Sequence, residues 1–253
     1  SATGTLASTT YISFDGYSSF QSGANSTYTL PILLTADKVQ VLNTDFAQIP
    51  INAEIAERLD FKLNGAIVST FLITDNGNTN QKIQYIDAPA LVDEVVVYNS
   101  GASTETKTIE LIDECKFPVS KIVFINKLGA LQNLFFFKKS VERLEVKKEN
   151  YQANLLNEVT LSYDTSAHQM KDFNLTANES LVLNSGFVSE SMNDSFKELL
   201  LSFYVWVIPS GATATIPLSV TESSLTYKTA LNDKLINYTI NFKYAFDTIN
   251  NVH

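Results

Sequence analysis

Leu235-Ile236-Asn237-Tyr238-Thr239-Ile240-Asn241-Phe242-Lys243-Tyr244 is the stretch whose reading decides the fold. Ile236, Tyr238, Ile240, Phe242 and Tyr244 alternate with Asn237, Thr239, Asn241 and Lys243. Successive side chains of a strand point to opposite faces, so the stretch predicts a strand with one face in a core and the other in water. A helix would scatter the same apolar residues around its circumference.

The same period-2 reading extends outward over most of the chain. Strands are expected over residues 6–14, 27–34, 38–42, 61–74, 82–86, 94–98 and 107–111 in the first half. In the second half they are expected over 121–125, 133–137, 141–148, 158–163, 170–176, 181–183, 203–208, 214–220, 223–227 and 235–244. Short strands between Gly, Asn, Asp and Pro punctuation, recurring every ~8–12 residues, are the pattern of sandwiches and barrels. Asp75-Asn76-Gly77-Asn78 lies between the apolar run 67–73 and the strand 82–86, and Asn-Gly favours the positive φ of a hairpin turn. A calcium loop is the weaker reading of those residues, because one carboxylate and no bidentate Glu make a poor ligand set.

Two stretches depart from period 2. In 52–60, Asn52 follows Pro50 as an N-cap, Glu54 and Glu57 suit a helix N-terminus, and Ile55 and Leu59 share a face, which predicts a helix of two turns. In 189–201, Met192, Phe196, Leu199 and Leu200 form one stripe behind a Ser189 or Ser191 cap, which predicts a short amphipathic helix. Its stripe is read as core packing that covers an edge or end of a sheet. The expectation is therefore an all-β fold, two β-sandwich-like modules with one short amphipathic helix in the C-terminal half. The modules are placed at 1–117 and 118–253, where the charge balance changes and Pro118 follows a short polar stretch. Without a Gly/Ser-rich linker they are expected to pack together.

Of the 253 residues, 45% are hydrophobic and 18% charged, and the formal charge is −9. Apolar content is ordinary, so disorder is not expected. The acidic excess sits almost wholly in residues 1–117, with 6 Lys and Arg against 14 Asp and Glu, while 118–253 carries 12 against 13. A chain of this sign repels phosphate, which argues against free nucleic acid as a partner. No apolar run approaches the ~18 residues of a membrane helix, so no membrane partner is expected. The single Cys115 forms no internal disulfide and is read as a small buried side chain. The absence of paired cysteines points to synthesis in a reducing cytoplasm; Ser1-Ala2-Thr3-Gly4 has no signal-type character, so such a segment was either processed away or never there. Five Asn-X-Ser/Thr triplets, at Asn25, Asn174, Asn178, Asn193 and Asn237, are what an Asn-, Ser- and Thr-rich chain contains by chance.

Catalytic chemistry finds few footholds. The only imidazoles are His168, in a polar connection, and His253 at the C-terminus, and no Gly-x-Ser-x-Gly presents a nucleophile. No phosphate-binding glycine loop occurs. Acidic residues are many, but nothing singles out a glycosidase pair: Asp93-Glu94 precedes an apolar strand, and Glu105, Glu110, Asp113 and Glu114 read as solvated strand faces and turns. Accordingly no catalytic, cofactor-binding or metal residue is assigned.

Residues 121–148 carry the strongest local feature, Phe135-Phe136-Phe137 followed by five basic residues from Lys138 to Lys148. Glu142, Glu145 and Glu149 interleave with those bases, and Leu144 and Val146 face away from Arg143, Glu145 and Lys147. The segment therefore reads as core strands in preference to a nucleic-acid surface. Trp206, between Val205 and Val207, reads as core or subunit interface in preference to a sugar platform.

Phe124-Ile125-Asn126-Lys127-Leu128-Gly129-Ala130-Leu131-Gln132-Asn133-Leu134-Phe135-Phe136-Phe137-Lys138-Lys139-Ser140 and Leu181-Val182-Leu183-Asn184-Ser185-Gly186-Phe187-Val188-Ser189-Glu190 resemble a family of virion structural proteins in tailed phages of Bacteroidetes. Ser224-Leu225-Thr226-Tyr227-Lys228-Thr229 and residues 233–247 are similar to that family's C-terminal strands. The resemblance covers roughly residues 118–253 and carries no active site. It implies a tail or baseplate component of the virion, made in the bacterial host cytoplasm. Its partners would be copies of itself in a homo-oligomeric ring and neighbouring virion proteins. The alternatives are a carbohydrate-binding β-sandwich, motivated by Tyr11, Tyr17 and Trp206, and a two-carboxylate glycosidase.

Overall fold

A computed structural model describes residues 16–18, 20, 30–42, 48–74, 82–89, 91–113, 116–221 and 235–248. Expected strands 6–14 and 223–227, the 75–78 turn, Tyr11, Cys115 and His253 lie outside these residues. Among the described residues the fold is all-β with one short α-helix.

The first module contains β1 (Lys38–Leu42), β2 (Gln48–Asn52), β3 (Arg58–Leu63), β4 (Ala66–Leu72), β5 (Ile83–Asp87), β6 (Glu94–Asn99) and β7 (Ala102–Ile112). A five-stranded sheet, ordered β1-β7-β6-β3-β4, packs against the two-stranded sheet β2-β5. Ile49 and Ile51 of the small sheet meet Leu59, Phe61, Val95, Val97 and Ile109 of the large one. Two-residue turns at Asn64-Gly65 and Ser100-Gly101, each with φ near 51° and 79°, close the β3–β4 and β6–β7 hairpins. Both centres have the positive φ that a primed turn needs.

Three expectations change here. Residues 61–74 are not one strand but the end of β3, a turn and β4, because Asn64-Gly65 folds the chain back. β4 and β5, expected to face each other across Asp75–Asn78, pair elsewhere: β4 with β3 and β5 with β2. β5 is taken by β2 in the small sheet, and the outer edge of β4 stays uncovered among the described strands. The helix expected over 52–60 is a single turn, in which Asn52 O accepts from Ile55 and Ala56 N–H (3.1 and 2.9 Å) and Asn52 Oδ1 from Glu54 N–H (3.2 Å). Sheet bonds then take over, with Glu57 N–H on Tyr98 O (3.0 Å) and Leu59 fully buried in β3. A long-range ladder outweighs the small local helix preference of Ala, Glu and Arg. Glu105 is likewise not on a solvated face: it accepts from Ile32 N–H (2.9 Å) and pairs with the buried Lys107 (3.1 Å).

The second module contains β8 (Ser120–Ile125), β9 (Leu131–Phe136), β10 (Val141–Gln152), β11 (Met170–Ser189), α1 (Asn193–Leu201), β12 (Val205–Ile208), β13 (Ile216–Val220) and β14 (Leu235–Tyr244). They form one antiparallel sheet ordered β10-β11-β14-β13-β12-β8-β9. The opening stretch behaves as read: Ile236, Tyr238, Ile240 and Phe242 are buried, and Asn237, Thr239, Asn241 and Lys243 are exposed. A single 3₁₀ turn, Glu190–Met192, leads into α1, and Met192, Phe196 and Leu199 join the core of this sheet. Phe196 stacks obliquely on Tyr238 (4.5 Å) and edge-on to Phe136 (6.0 Å).

The sheet curls until its two ends approach, and Lys138 N–H donates to Asn184 O (3.2 Å). A bulge in β11 between Asn184 and Phe187 produces the bend. Gly186 sits there at φ +71° under the Phe137 ring, where a Cβ would lie 2.7 Å from Cζ. Only glycine combines that backbone with that approach. Residues 158–163 are not a strand but a turn closed by an Asn157–Ser162 bridge, since Asn157 Oδ1 takes the Val159 and Thr160 N–H groups (3.0 and 3.2 Å). The chain therefore gains an Asx turn where β-branched residues implied a ladder.

Phe135 and Phe136 are buried, because β9 lies between the two modules, and Phe137 just after it is partly buried. Phe136 faces the α1 core, while Phe135 meets Ile112 and Val119. Asn126 fastens the joint from a fully enclosed position. Its Nδ2 donates to Leu33 O (2.8 Å) and Gln132 Oε1 (3.2 Å), and its Oδ1 accepts from Leu128 and Ala130 N–H (both 3.0 Å). Gln132 passes the network to Ser195 Oγ (2.8 Å), Leu131 N–H donates to Tyr85 Oη (3.0 Å), and Phe135 N–H to Gln40 Oε1 (3.3 Å). The modules form a polar-laced contact in which these buried groups are satisfied.

Candidate functional site: a projecting hairpin arm

β14 pairs with β11 only from Ser180 to Ser189, yet β11 begins at Met170 and β10 pairs with it from Met170 to Val182. Residues 144–152 and 170–179 therefore leave the body as a two-stranded ribbon. At ~3.4 Å per residue the ten residues 170–179 reach about 30 Å. Residues 245–248 brace its base, where Thr248 N–H donates to Ala177 O (3.1 Å).

The register sorts the ribbon into two faces. Glu142, Leu144, Val146 and Lys148 stand opposite Leu181, Glu179, Ala177 and Leu175, and directly paired residues share a face. Leu181 and Ala177 are buried, so this face continues the core outward. Leu144 and Val146 are nonetheless 61% and 44% exposed. The sequence reading of 141–148 as a core strand is thus corrected: the alternation is real, but the body ends before the strand does. Beyond a register shift at Glu149–Asn150, Tyr151 and Phe173 pair at 6.1 Å, and Phe173 is 63% exposed. The opposite face carries Arg143, Glu145, Lys147 and Glu149 against Ser180, Asn178, Thr176 and Asn174. Lys147 and Glu145 lie 3.8 Å apart, both well solvated.

At the tip, residues 153–169 enclose an open cavity of about 600 Å³ lined by Gln152, Asn154, Leu156, Tyr163, Asp164 and Gln169 among others. Asx turns at Asn154 and Asn157 shape it, and Leu161 holds φ 51°. Asp164 accepts from Ser166 N–H and Oγ (2.9 and 2.7 Å), which hold its carboxyl below the usual Asp range. A carboxylate kept ionised in this way suits binding and not proton donation. It is the one acid lining the cavity, where glycoside hydrolysis uses two. His168 is exposed and stands between two lining residues without lining the cavity itself.

Among the described residues no group of three or more His, Cys, Asp or Glu is placed to hold a metal ion, and no helix is long and apolar enough to cross a membrane. Trp206 is not in the core. Val205 and Val207 point inward, whereas Trp206 lies half-buried on the outer face, stacked with Tyr204 at 6.1 Å beside Phe203, which is 94% exposed. Tyr17 is half-buried, its N–H donating to Lys127 O (2.9 Å).

Sequence reasoning missed Glu198. It projects from α1 toward the joint, is almost wholly enclosed, and takes Lys127 N–H (3.4 Å). Burial pushes its carboxyl above the usual range; bonds from Thr35 and Lys127 oppose the shift, and Asp194 adds to it. Its spacing from Phe196 and Leu199 put it on the rim of the apolar stripe, where a charged residue ordinarily stays wet.

The class defined by these features is an all-β protein of two joined modules with a projecting β arm. Scans against protein-family models and curated proteins return no match.

Proposed function

We propose that this chain is a structural subunit of a tailed-phage virion, in the tail or baseplate, that acts by assembling with copies of itself and with neighbouring virion proteins. The observation that carries the reading is the arm: a ribbon on one face of which Leu144, Val146, Ala177 and Leu175 continue the core into solvent among Glu142, Lys148 and Glu179. A two-stranded ribbon is marginal alone in water and gains stability by packing against another surface. The resemblance supports the same reading. Its segments at 124–140 and 181–190 lie on the module joint and on the bulge that bends β11, so they specify the body from which the arm projects. No reaction is assigned to the protein. Light scattering of the purified chain, together with electron microscopy of the particle, tests the proposal: assemblies in solution and density in the tail support it, and a stable monomer absent from the particle overturns it.

The tip cavity supports a second reading, a carbohydrate-binding module. Asn154, Gln152 and Gln169 offer neutral hydrogen bonds, Asp164 a charged acceptor and Tyr163 the aromatic surface that a sugar takes. Glycan arrays at high protein concentration decide it, and silence there removes it.

A further inference from the structure

We propose that β10 is an isologous junction, at which the free edge of the arm pairs antiparallel with β10 of a second copy about a two-fold axis through Val146. The inference rests on the reading of the chain as an assembly subunit and specifies the surface used. β10 is the terminal strand of the seven-stranded sheet, twelve residues long and exposed throughout. Among the described residues no strand covers its outer edge. Such an edge offers a row of backbone donors and acceptors to another chain.

The charge pattern selects the occupant and the register. Arg143, Glu145, Lys147 and Glu149 alternate in sign on one face of the strand. In an antiparallel pair centred on Val146, Arg143 faces the second copy's Glu149 and Glu145 faces its Lys147. The two-fold repeats both contacts, so every charge on that face meets its opposite and Val141 meets Tyr151, while on the other face Val146 meets Val146, Leu144 meets Lys148 and Glu142 meets Asn150. Moving the axis to Glu145 sets Glu145 against itself and Arg143 against Lys147. Moving it to Lys147 sets Lys147 against itself and Glu145 against Glu149. A slip of one residue turns apolar against charged faces. Opposite charges directly across strands are favourable and like charges unfavourable, so one register is preferred and its neighbours are penalised. Self-complementarity of one patch is what a two-fold contact requires. The other exposed edge, β4, has no charged residue in Ala66–Leu72 and offers no such selection.

Glu145→Lys and Lys147→Glu test the junction as full-length chains, by sedimentation equilibrium and native mass spectrometry. Both side chains are solvated, and thermal melting checks that each variant folds as the parent does. Each single variant places like charges at two symmetric contacts and is expected to weaken self-association at least tenfold. In an equimolar mixture of the two variants, one chain carries lysine at both positions and the other carries glutamate at both. The two-fold then sets each lysine against a glutamate, so the mixture is expected to recover association as a one-to-one heterodimer. The double variant is expected to recover it alone. If the parent oligomerises and both single variants match it, the junction lies elsewhere while the subunit reading stands. If the parent is monomeric at every concentration, the subunit reading fails and the junction with it.

Discussion

Gly186 shows how much one residue controls. It supplies the left-handed backbone of the β11 bulge and the space for Phe137, and so permits the curl that brings Lys138 N–H to Asn184 O. Gly186→Ala is expected to cost more than about 2 kcal/mol, since strained backbone and overpacking each cost ~1–3 kcal/mol. Denaturant unfolding measures it. Asn126→Ala empties the joint of a group that makes four hydrogen bonds and leaves buried N–H groups unpaired, for an expected loss of roughly 3 kcal/mol by the same measurement. Glu198 gives the pH dependence its sign. Its folded carboxyl binds a proton more tightly than the unfolded one, so its contribution to stability is full below the unfolded Glu value of about 4.3 and is lost as pH rises to the raised folded value. Glu198→Gln is expected to remove that slope and to melt higher than the parent at neutral pH, with the gap closing in acid. Melting temperatures from pH 4 to pH 8 read it.

At the scale of elements, period 2 and the helical stripe carry most of the information. β1 and β14 begin and end where the alternation places them, and Met192, Phe196 and Leu199 are buried as their spacing requires. What misleads is competition between partners. Asn64-Gly65 and Asn76-Gly77 are both good turns locally, and only the three-dimensional ladder shows that the first one takes β4. The candidate site was half legible. Alternation at Leu144 and Val146 reveals an apolar face, but exposure depends on where β14 stops, which those residues do not encode. The tip followed from Asn154, Asn157 and Asp164, whose side chains bond their own backbone, a habit easily overridden in sequence by nearby Val159 and Leu161. Since Leu144 already lies in water, Leu144→Ser is expected to change folding stability by less than about 0.5 kcal/mol while weakening assembly. Melting and light scattering on one sample separate the two effects.

The whole molecule combines a rigid body with an unsupported extension. Two cores, linked through Asn126, Gln132, Tyr85 and Gln40, hold the base of β10 and β11 in one orientation, and the acidic first module adds net negative charge behind it. A body with a projecting ribbon is suited to repeated subunit contacts, and in the proposed assembly the near-neutral second module would be the half that makes them. Solution mass as a function of concentration tests this most directly. Assembly predicts a weight-average mass that rises above the 28.0 kDa of one chain toward a closed oligomer and falls again as salt is added. A mass fixed at 28.0 kDa at every concentration, in low salt, contradicts it.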